Sequence, residues 1–139
     1  MNLHNKMSQL SLQELMARFE GSQNRFVRMA AVEAIGRRKC LSAVHTLTKY
    51  ATECKQRDIL LAILEALGNS EVRQAAYTLA AFLSHRDPAV ADAAREALDR
   101  LSRKVKVPTV EHLLKTGPLV LRARILRFLR RVFQPASTT

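Results

Sequence analysis

The sequence predicts an all-α protein, an α-solenoid of about four antiparallel helical hairpins and about eight helices. Three observations favour this fold: a repeat with a period of about 31 residues, two amphipathic helical segments in each repeat, and few turn-forming residues. The 139 residues include only four Gly and four Pro, too few for a β fold with many tight turns. The length is that of a single domain that buries its own core.

The repeat is visible in two separate columns of residues. The phrase Ala-Val-Glu-Ala-Ile-Gly around Glu33 recurs in related form around Glu65 and then around Glu96, at nearly equal spacing. One more step of the same size reaches Arg127, where the apolar pattern continues and a base replaces the acid. The second column contains Leu15, Leu47, Leu79 and Val110. Because both columns have the same period, a unit of about 30 residues repeats along the chain.

Each repeat contains two segments with the hydrophobic periodicity of an amphipathic helix. The first set covers 10–20, 42–53, 71–84 and 107–116, and the second set covers 24–38, 56–69, 88–104 and 118–133. The single domain 1–139 then consists of repeats over roughly 10–38, 42–69, 71–104 and 107–133, with a frayed tail over 134–139. Alanines recur at the centre of the second-set segments, where small side chains allow neighbouring helices to approach closely.

Helix-capping residues stand at several predicted boundaries. Ser11 followed by Glu14 has the spacing of a capping box. Asp87 directly precedes a proline, as expected for an N-cap followed by the first helical residue. Ser70 and Glu71 are predicted to begin the helix of the third repeat, where an acid interacts favourably with the positive helix end.

Two stretches show the repeat most clearly. The first reads Val27-Arg28-x-Ala30-Ala31-x-Glu33-Ala34-Ile35-Gly36, followed by Ala43-Val44-x-x-Leu47, and the second reads Asp87-Pro88-x-Val90-x-x-Ala93-Ala94-x-Glu96-Ala97-Leu98. Both resemble the HEAT-like repeat of the phycobilisome-lyase type, and the resemblance covers about residues 11–133. It implies a solenoid whose second-set helices line the concave side. The loop aspartate and helix arginine of that family are not both kept in each repeat, which predicts that apolar stacking holds the repeats together.

The positive charge is concentrated toward the C-terminus. The chain has a net charge of +11, and from position 100 onward ten basic residues stand against one acid, which leaves +9 there and +2 before that position. Such asymmetry indicates either a solvated basic face or a surface that meets nucleic acid, an anionic membrane or an acidic protein.

The predicted last helix has a cationic face and an apolar face. Arg124, Arg127 and Arg131 fall on one side at about 100° per residue, with Arg130 beside them. Three interpretations stay open: a capping helix that shows its arginines to water, a site for phosphates or an acidic partner, or a helix that docks on an anionic membrane.

Helical phase places a set of candidate binding residues on the concave face. They are Arg25, Met29, Glu33, Arg57, Leu61, Glu65, Asp92 and Glu96. The three glutamates occupy one column, and the sequence predicts for each a local ion pair with Arg37, Arg28 or Arg100. The alternative is an acidic row that binds a basic segment or a cation.

The sequence carries no pattern of catalytic or metal-binding residues. Its four histidines are scattered without ligand spacing, and no phosphate-binding loop or hydrolase motif is present. Cys40 and Cys54 are predicted to be reduced apolar fillers in a cytoplasmic protein, and a disulfide between them is the other possibility. No apolar run approaches the length of about 18 residues that a membrane-spanning helix needs. We therefore expect no cofactor, no metal and no enzymatic activity.

The sequence predicts a non-enzymatic adaptor that binds a macromolecule, most readily a protein, through its concave face and basic C-terminal helix. The alternative is nucleic-acid binding through the basic C-terminal surface, because the resemblance extends to HEAT-like DNA glycosylases. The resemblance also implies a bilin lyase as a third class, although no residues indicate a tetrapyrrole pocket.

Overall fold

The structure of the protein, a computed structural model, describes residues 3–107. Within this range every regular element is an α-helix, which confirms the all-α class. The helices are α1 (Leu3–Ser8), α2 (Leu12–Gly21), α3 (Arg25–Gly36), α4 (Leu41–Glu53), α5 (Arg57–Gly68), α6 (Ala75–Ala81) and α7 (Pro88–Lys104). The predicted helices after Val107, the fourth repeat and the tail 134–139 lie outside the described residues.

The six helical segments predicted over 10–104 each overlap one helix, and α1 is an additional helix that the sequence did not indicate. Residues 1–10 are mostly polar, and a single buried side chain does not produce the hydrophobic periodicity of an amphipathic helix. That side chain is Met7, which is 2% exposed and belongs to the main core cluster. Helix α1 packs on α3.

Two of the predicted caps are present. The Ser11 hydroxyl accepts from the backbone N–H of Glu14 at 3.2 Å, and the Glu14 carboxylate accepts from the N–H of Ser11 at 3.2 Å, which completes a capping box at α2. The Asp87 carboxylate accepts from the N–H of Ala89 at 3.0 Å and begins α7, with Pro88 in its first turn. These side chains fix where α2 and α7 start.

The predicted start of the third-repeat helix is wrong. Helix α6 begins at Ala75 rather than at 71, because Glu71 adopts a left-handed conformation with φ of 55°. The Ser70 hydroxyl donates to the carbonyl of Leu67 at 2.7 Å and accepts from the N–H of Val72 at 3.3 Å, so it stabilises a turn. Glu71 forms an ion pair with Lys39, which also has a left-handed backbone conformation. That ammonium lowers the pKa of the Glu71 carboxyl.

The core is one cluster of mainly aliphatic side chains that runs through all seven helices. Helix α3 packs on α1, α2, α4 and α5; α5 in turn packs on α4, α6 and α7; and α6 also packs on α4 and α7. The largest fully buried side chains of this core are Phe82, Leu15, Ile35, Leu47, Ile59, Ile63, Leu64, Leu67, Leu79, Leu101 and Val32. Three of the four residues in the predicted second column (Leu15, Leu47 and Leu79) belong to this set, so that column is a core column.

Two glycines mark places where α3, α5 and α7 approach very closely. A Cβ atom added at Gly36 would lie 2.8 Å from the Cβ atom of Ala66, and one added at Gly68 would lie 2.8 Å from both Cα and Cβ of Ala97. Neither glycine has a positive φ. Glycine is required at both positions because the neighbouring helix leaves no room for a side chain. The same glycine-to-alanine contact occurs between α3 and α5 and between α5 and α7.

The connection between α6 and α7 contains a half-buried histidine that should make stability depend on pH. The Nδ1 atom of His85 accepts from the backbone N–H of Asp87 at 3.1 Å, and its ring stacks on Phe82 at 5.9 Å between centroids. Burial lowers the pKa of His85 and is the largest effect; Asp87 opposes it and Arg86 adds to it, so the net shift is downward. The neutral imidazole is therefore the form that the fold favours.

We expect acidification from pH 7 to pH 5 to lower the melting temperature more in the parent protein than in a His85→Gln variant. The folded-state pKa lies below the unfolded value of about 6.5, so this stabilisation is present above that pH and is lost as the pH falls through the folded value. Thermal melts of both proteins at the two pH values measure the difference. His45→Gln, at an exposed position, is the control and should keep the parent's response. Equal pH responses in His85→Gln and the parent would contradict the prediction.

Candidate binding groove

A shallow cavity of about 350 Å³ lies between α3 and α5. Its sides are formed by Phe26, Met29 and Glu33 from α3 and by Ala62 and Glu65 from α5. Because Gly36 and Ala66 meet at its base with almost no side chain between them, the two helix backbones form part of the floor. Phe26 is 64% exposed, the largest exposed fraction among the large apolar side chains of residues 5–107.

A second shallow cavity of about 420 Å³ lies between α5 and α7. It is lined by Leu61 and Glu65 from α5 and by Asp92, Glu96 and Arg100 from α7. Glu65 borders both cavities, which therefore adjoin each other on the surface of α3, α5 and α7. We call this surface the α3–α5–α7 groove.

Six of the eight predicted concave-face residues line this groove. They are Met29, Glu33, Leu61, Glu65, Asp92 and Glu96. They come together because residues one repeat apart occupy the same place on α3, α5 and α7, and these helices pack directly against their neighbours in that order. The repeat period and the helical phase were therefore sufficient to predict that these six residues lie close together.

Arg25 and Arg57, the other two predicted residues, form ion pairs between helices. The Arg25 guanidinium lies 3.5 Å from the Asp58 carboxylate, and the Arg57 Nε lies 3.0 Å from Asp87. Neither arginine borders the groove cavities. The expectation that apolar stacking alone holds the repeats together is thus incomplete, since a charged contact links α3 to α5 and another links α5 to the N-cap of α7. Both arginines are mostly exposed, so each pair contributes modestly, at most about 1 kcal/mol.

The three column glutamates have different surroundings. Glu33 forms the expected ion pair with Arg37, four positions later and directly after the end of α3. Within residues 5–107, neither Glu65 nor Glu96 has an ion-pair partner, and the expected pairing of Glu96 with Arg100 does not form. The groove therefore exposes two carboxylates whose charge no side chain of this range compensates by direct pairing.

Arg28 faces away from the groove, although it was one of the expected partners of the glutamates. Its guanidinium stacks over the ring of Phe19 at 4.3 Å and donates to the side chain of Gln56 at 3.4 Å. Its enclosed Nε has no hydrogen-bond partner among the residues that the structure describes. Phe19 also stacks on Tyr50 at 4.1 Å between centroids, with planes 19° apart. Arg28 therefore takes part in an aromatic cluster on the opposite side of α3.

This cluster borders a third cavity, of about 300 Å³, that sequence reasoning missed. The Tyr50 hydroxyl donates to Glu20 at 2.8 Å, and burial together with this acceptor raises the pKa of Tyr50 far above its ordinary value. The Cys54 thiol donates to the Gln56 carbonyl at 3.2 Å, and burial raises its pKa, so it stays protonated. Tyr50 and Glu20 lie 30 positions apart, near the repeat period, which was the available signal. Because these groups bond to one another, the cavity walls are held by internal contacts.

Arg124, Arg127, Arg130 and Arg131 lie outside the described residues. Cys40 and Cys54 are not joined by a disulfide, but Cys40 is exposed at the start of α4, so the prediction that it is an apolar filler is wrong; Cys54 is half-buried. In the part of the chain that the structure describes, no helix is long and apolar enough to cross a membrane. Over the same residues, no three His, Cys, Asp or Glu side chains are grouped so that they could hold a metal ion.

Comparison with known proteins adds no family to this geometry. No family model matches the sequence, and no curated protein matches it significantly.

Proposed function

We propose that this protein is a non-enzymatic adaptor of the HEAT-repeat kind that binds a protein partner along the α3–α5–α7 groove. In this proposal the helices form a solenoid of antiparallel hairpins, with α3, α5 and α7 as the second helices of successive hairpins. The glycine-to-alanine contacts support this arrangement, because Gly68–Ala97 is the same contact as Gly36–Ala66, one repeat further along the chain. A repeated contact is what stacking of similar units requires.

The observation that carries the proposal is that the two cavities adjoin at Glu65. Two cavities with a common wall give a surface that spans three helices, long enough for a peptide segment or the edge of a folded domain. Phe26 stands exposed at the α3 end, and Phe is among the aromatic residues that are enriched in protein–protein interfaces. The groove also has apolar surface beside polar groups, as the core and the polar rim of protein interfaces do.

Nucleic-acid binding is the competing proposal, and the charge of the chain favours it. The net charge is +11, with ten basic residues from position 100 onward. The groove is a poor place for phosphates, however, because Glu65 and Glu96 present carboxylates there that no base of the described range pairs with. A nucleic acid would bind instead to the basic C-terminal region that includes Arg124, Arg127, Arg130 and Arg131.

Photocrosslinking from a single position tests the proposal. Phe26 is replaced by a benzophenone amino acid, and the full-length protein is irradiated in its native cells. Leu41, at the start of α4 and 43% exposed, carries the same group in a matched control. We expect discrete adducts from position 26 that protease removes and nuclease leaves intact, and markedly weaker adducts from position 41.

Equal labelling from positions 26 and 41 would contradict the groove as the binding surface. Adducts that nuclease removes would favour nucleic acid, and binding of a duplex DNA probe should then fall steeply between about 50 and 200 mM salt. In a Glu65→Trp variant, the bulky side chain should fill the place where the two cavities adjoin. A protein adduct from position 26 that forms equally in this variant would also count against the proposal.

A further inference from the structure

We propose that the α3–α5–α7 groove recognises a basic segment of a partner protein in the extended polyproline II conformation, with cationic side chains three residues apart. This inference rests on the proposed function and names the chemistry of the partner. Three properties of the groove support it: the charge of its lining, the spacing of its carboxylates and the apolar surface between them.

The lining is acidic although the chain is strongly basic. Four carboxylates border the groove (Glu33, Glu65, Asp92 and Glu96), against two guanidinium groups. Glu33 is paired with Arg37, the residue that follows α3, and Asp92 is paired with Arg95 on α7. Glu65 and Glu96 thus remain as the acceptors that a cationic ligand would meet. A negative strip on a protein of net charge +11 selects a positive partner and repels an acidic one.

The spacing of the carboxylates fits an extended chain. Because Gly36 meets Ala66 and Gly68 meets Ala97 in near contact, the axes of α3, α5 and α7 lie at the short end of the usual range of about 8–10 Å. Glu65 directly precedes Ala66 and Glu96 directly precedes Ala97, so these two carboxylates stand at equivalent positions one helix spacing apart.

An extended segment and a helical segment differ in the span between side chains. Three residues of polyproline II complete one turn and span about 9 Å, whereas three residues of α-helix span only about 4.5 Å. The first value is close to the distance between neighbouring helices. Because polyproline II has three residues per turn, such a segment crossing the helices presents every third side chain on the same side, toward successive carboxylates.

Apolar side chains alternate with these carboxylates. Met29 and Ala62 border the cavity that Glu33 and Glu65 share, and Leu61 and Ala93 border the one that Glu65 and Glu96 share. At the α3 end the groove adds the exposed ring of Phe26. We therefore expect apolar residues between the cations of the partner, since a purely cationic segment would leave this surface exposed to water.

Fluorescence anisotropy with synthetic peptides tests this chemistry on the full chain. The probe is a labelled ten-residue peptide with Lys at positions 2, 5 and 8, Leu at positions 3 and 6, and Ser and Gly elsewhere. The first control peptide has the same composition with its three lysines adjacent, and the second has Glu in place of Lys. We expect the spaced peptide to bind at least fivefold more tightly than the first control, and the acidic peptide not to bind.

Neutralising the two unpaired carboxylates should weaken this binding about tenfold, because two exposed charge pairs are lost and each contributes modestly. The variant is Glu65→Gln with Glu96→Gln, and its control is Glu53→Gln, which removes one exposed acid on α4 outside the groove. All three substitutions lie at exposed positions, and a thermal melt of each variant verifies folding. The control should bind the spaced peptide within twofold of the parent.

Equal affinity for the spaced and adjacent lysine peptides, or unchanged binding by the double variant, would overturn this inference. The crosslinking result tests the proposed function independently of the peptide-binding result. Photocrosslinked protein adducts at position 26 without binding of the spaced peptide mean a protein partner of different chemistry, so this inference fails while the proposed function stands. Loss of both the adducts and peptide binding means that both fail.

Discussion

Replacing Gly68 with alanine is expected to lower the free energy of unfolding by about 2 kcal/mol, within the range that overpacking of a close contact costs. The new Cβ atom would lie 2.8 Å from the Cα and Cβ atoms of Ala97 and 2.9 Å from its carbonyl oxygen. Two of these three atoms belong to the backbone of α7, so relief requires α5 and α7 to separate. The higher helix propensity of alanine returns only about 1 kcal/mol.

Urea denaturation with matched glycine variants measures this effect. Gly21→Ala is the control, since nothing lies within 4 Å of a Cβ atom added there, and it should leave stability unchanged or slightly higher. The stability of Gly36→Ala should lie between the stabilities of Gly68→Ala and Gly21→Ala. The atom closest to its new Cβ is the Cβ of Ala66, and the backbone atoms of Ala66 lie farther away, at 3.1 Å. A Gly68→Ala midpoint equal to that of Gly21→Ala would show that α5 and α7 are not in this close contact.

A second substitution at Ala97 separates the side-chain contact from the backbone contact. Ala97→Gly removes the Cβ atom that a new methyl group at position 68 would meet, but it leaves the Cα and carbonyl oxygen in place. Combined with Gly68→Ala, it should therefore recover only part of the lost stability. In contrast, Ala66→Gly should rescue Gly36→Ala more completely, since there the side-chain contact is the shortest one.

Replacing Phe82 with alanine is expected to cost about 3–5 kcal/mol, the usual range for removing a buried aromatic side chain. Phe82 is 1% exposed and follows α6, where it packs within the main core cluster and against the ring of His85. Helix α6 has only seven residues, so packing rather than helix length keeps it in place. The cavity would form where α6 meets its neighbours, and neither His85 nor a short helix can fill it.

Phe26→Ala provides the same chemical change at an exposed position and should alter stability by less than about 0.5 kcal/mol. Denaturant midpoints of both variants, compared at equal transition slopes, measure the difference. Similar losses in the two variants would contradict the placement of these side chains. Because Phe26→Ala should keep the fold intact, it also provides a folded variant in which the groove has lost its exposed ring.

Much of the fold was predictable from the repeat, since a residue on the buried face of one helix has an equivalent one period away. The period identified the core column of Leu15, Leu47 and Leu79, and it placed Glu65 in the same column as Glu33 and Glu96. It failed where one residue departs from the repeat for a local reason. Glu71 has a left-handed backbone conformation that no composition rule indicates, and it delays α6 to Ala75.

Side-chain partners were less predictable than positions. Helical spacing suggested that Arg28 pairs with a glutamate on its own face, but stacking on Phe19 turns its guanidinium to the opposite side of α3. Arg25 was expected to line the binding face, but the carboxylate of Asp58 on the next second-set helix pairs with it. Such choices depend on which groups three-dimensional packing brings close, and a one-dimensional period does not contain that distance.

The shared wall at Glu65 has a thermodynamic consequence for any ligand of the groove. Because one side chain borders both cavities, we expect a ligand in one half to change the environment of the other, so that binding to the two halves is linked rather than independent. A long segment that fills both halves should saturate the protein at one equivalent. Two short ligands, each sized for one half, should compete for Glu65 and show negative cooperativity.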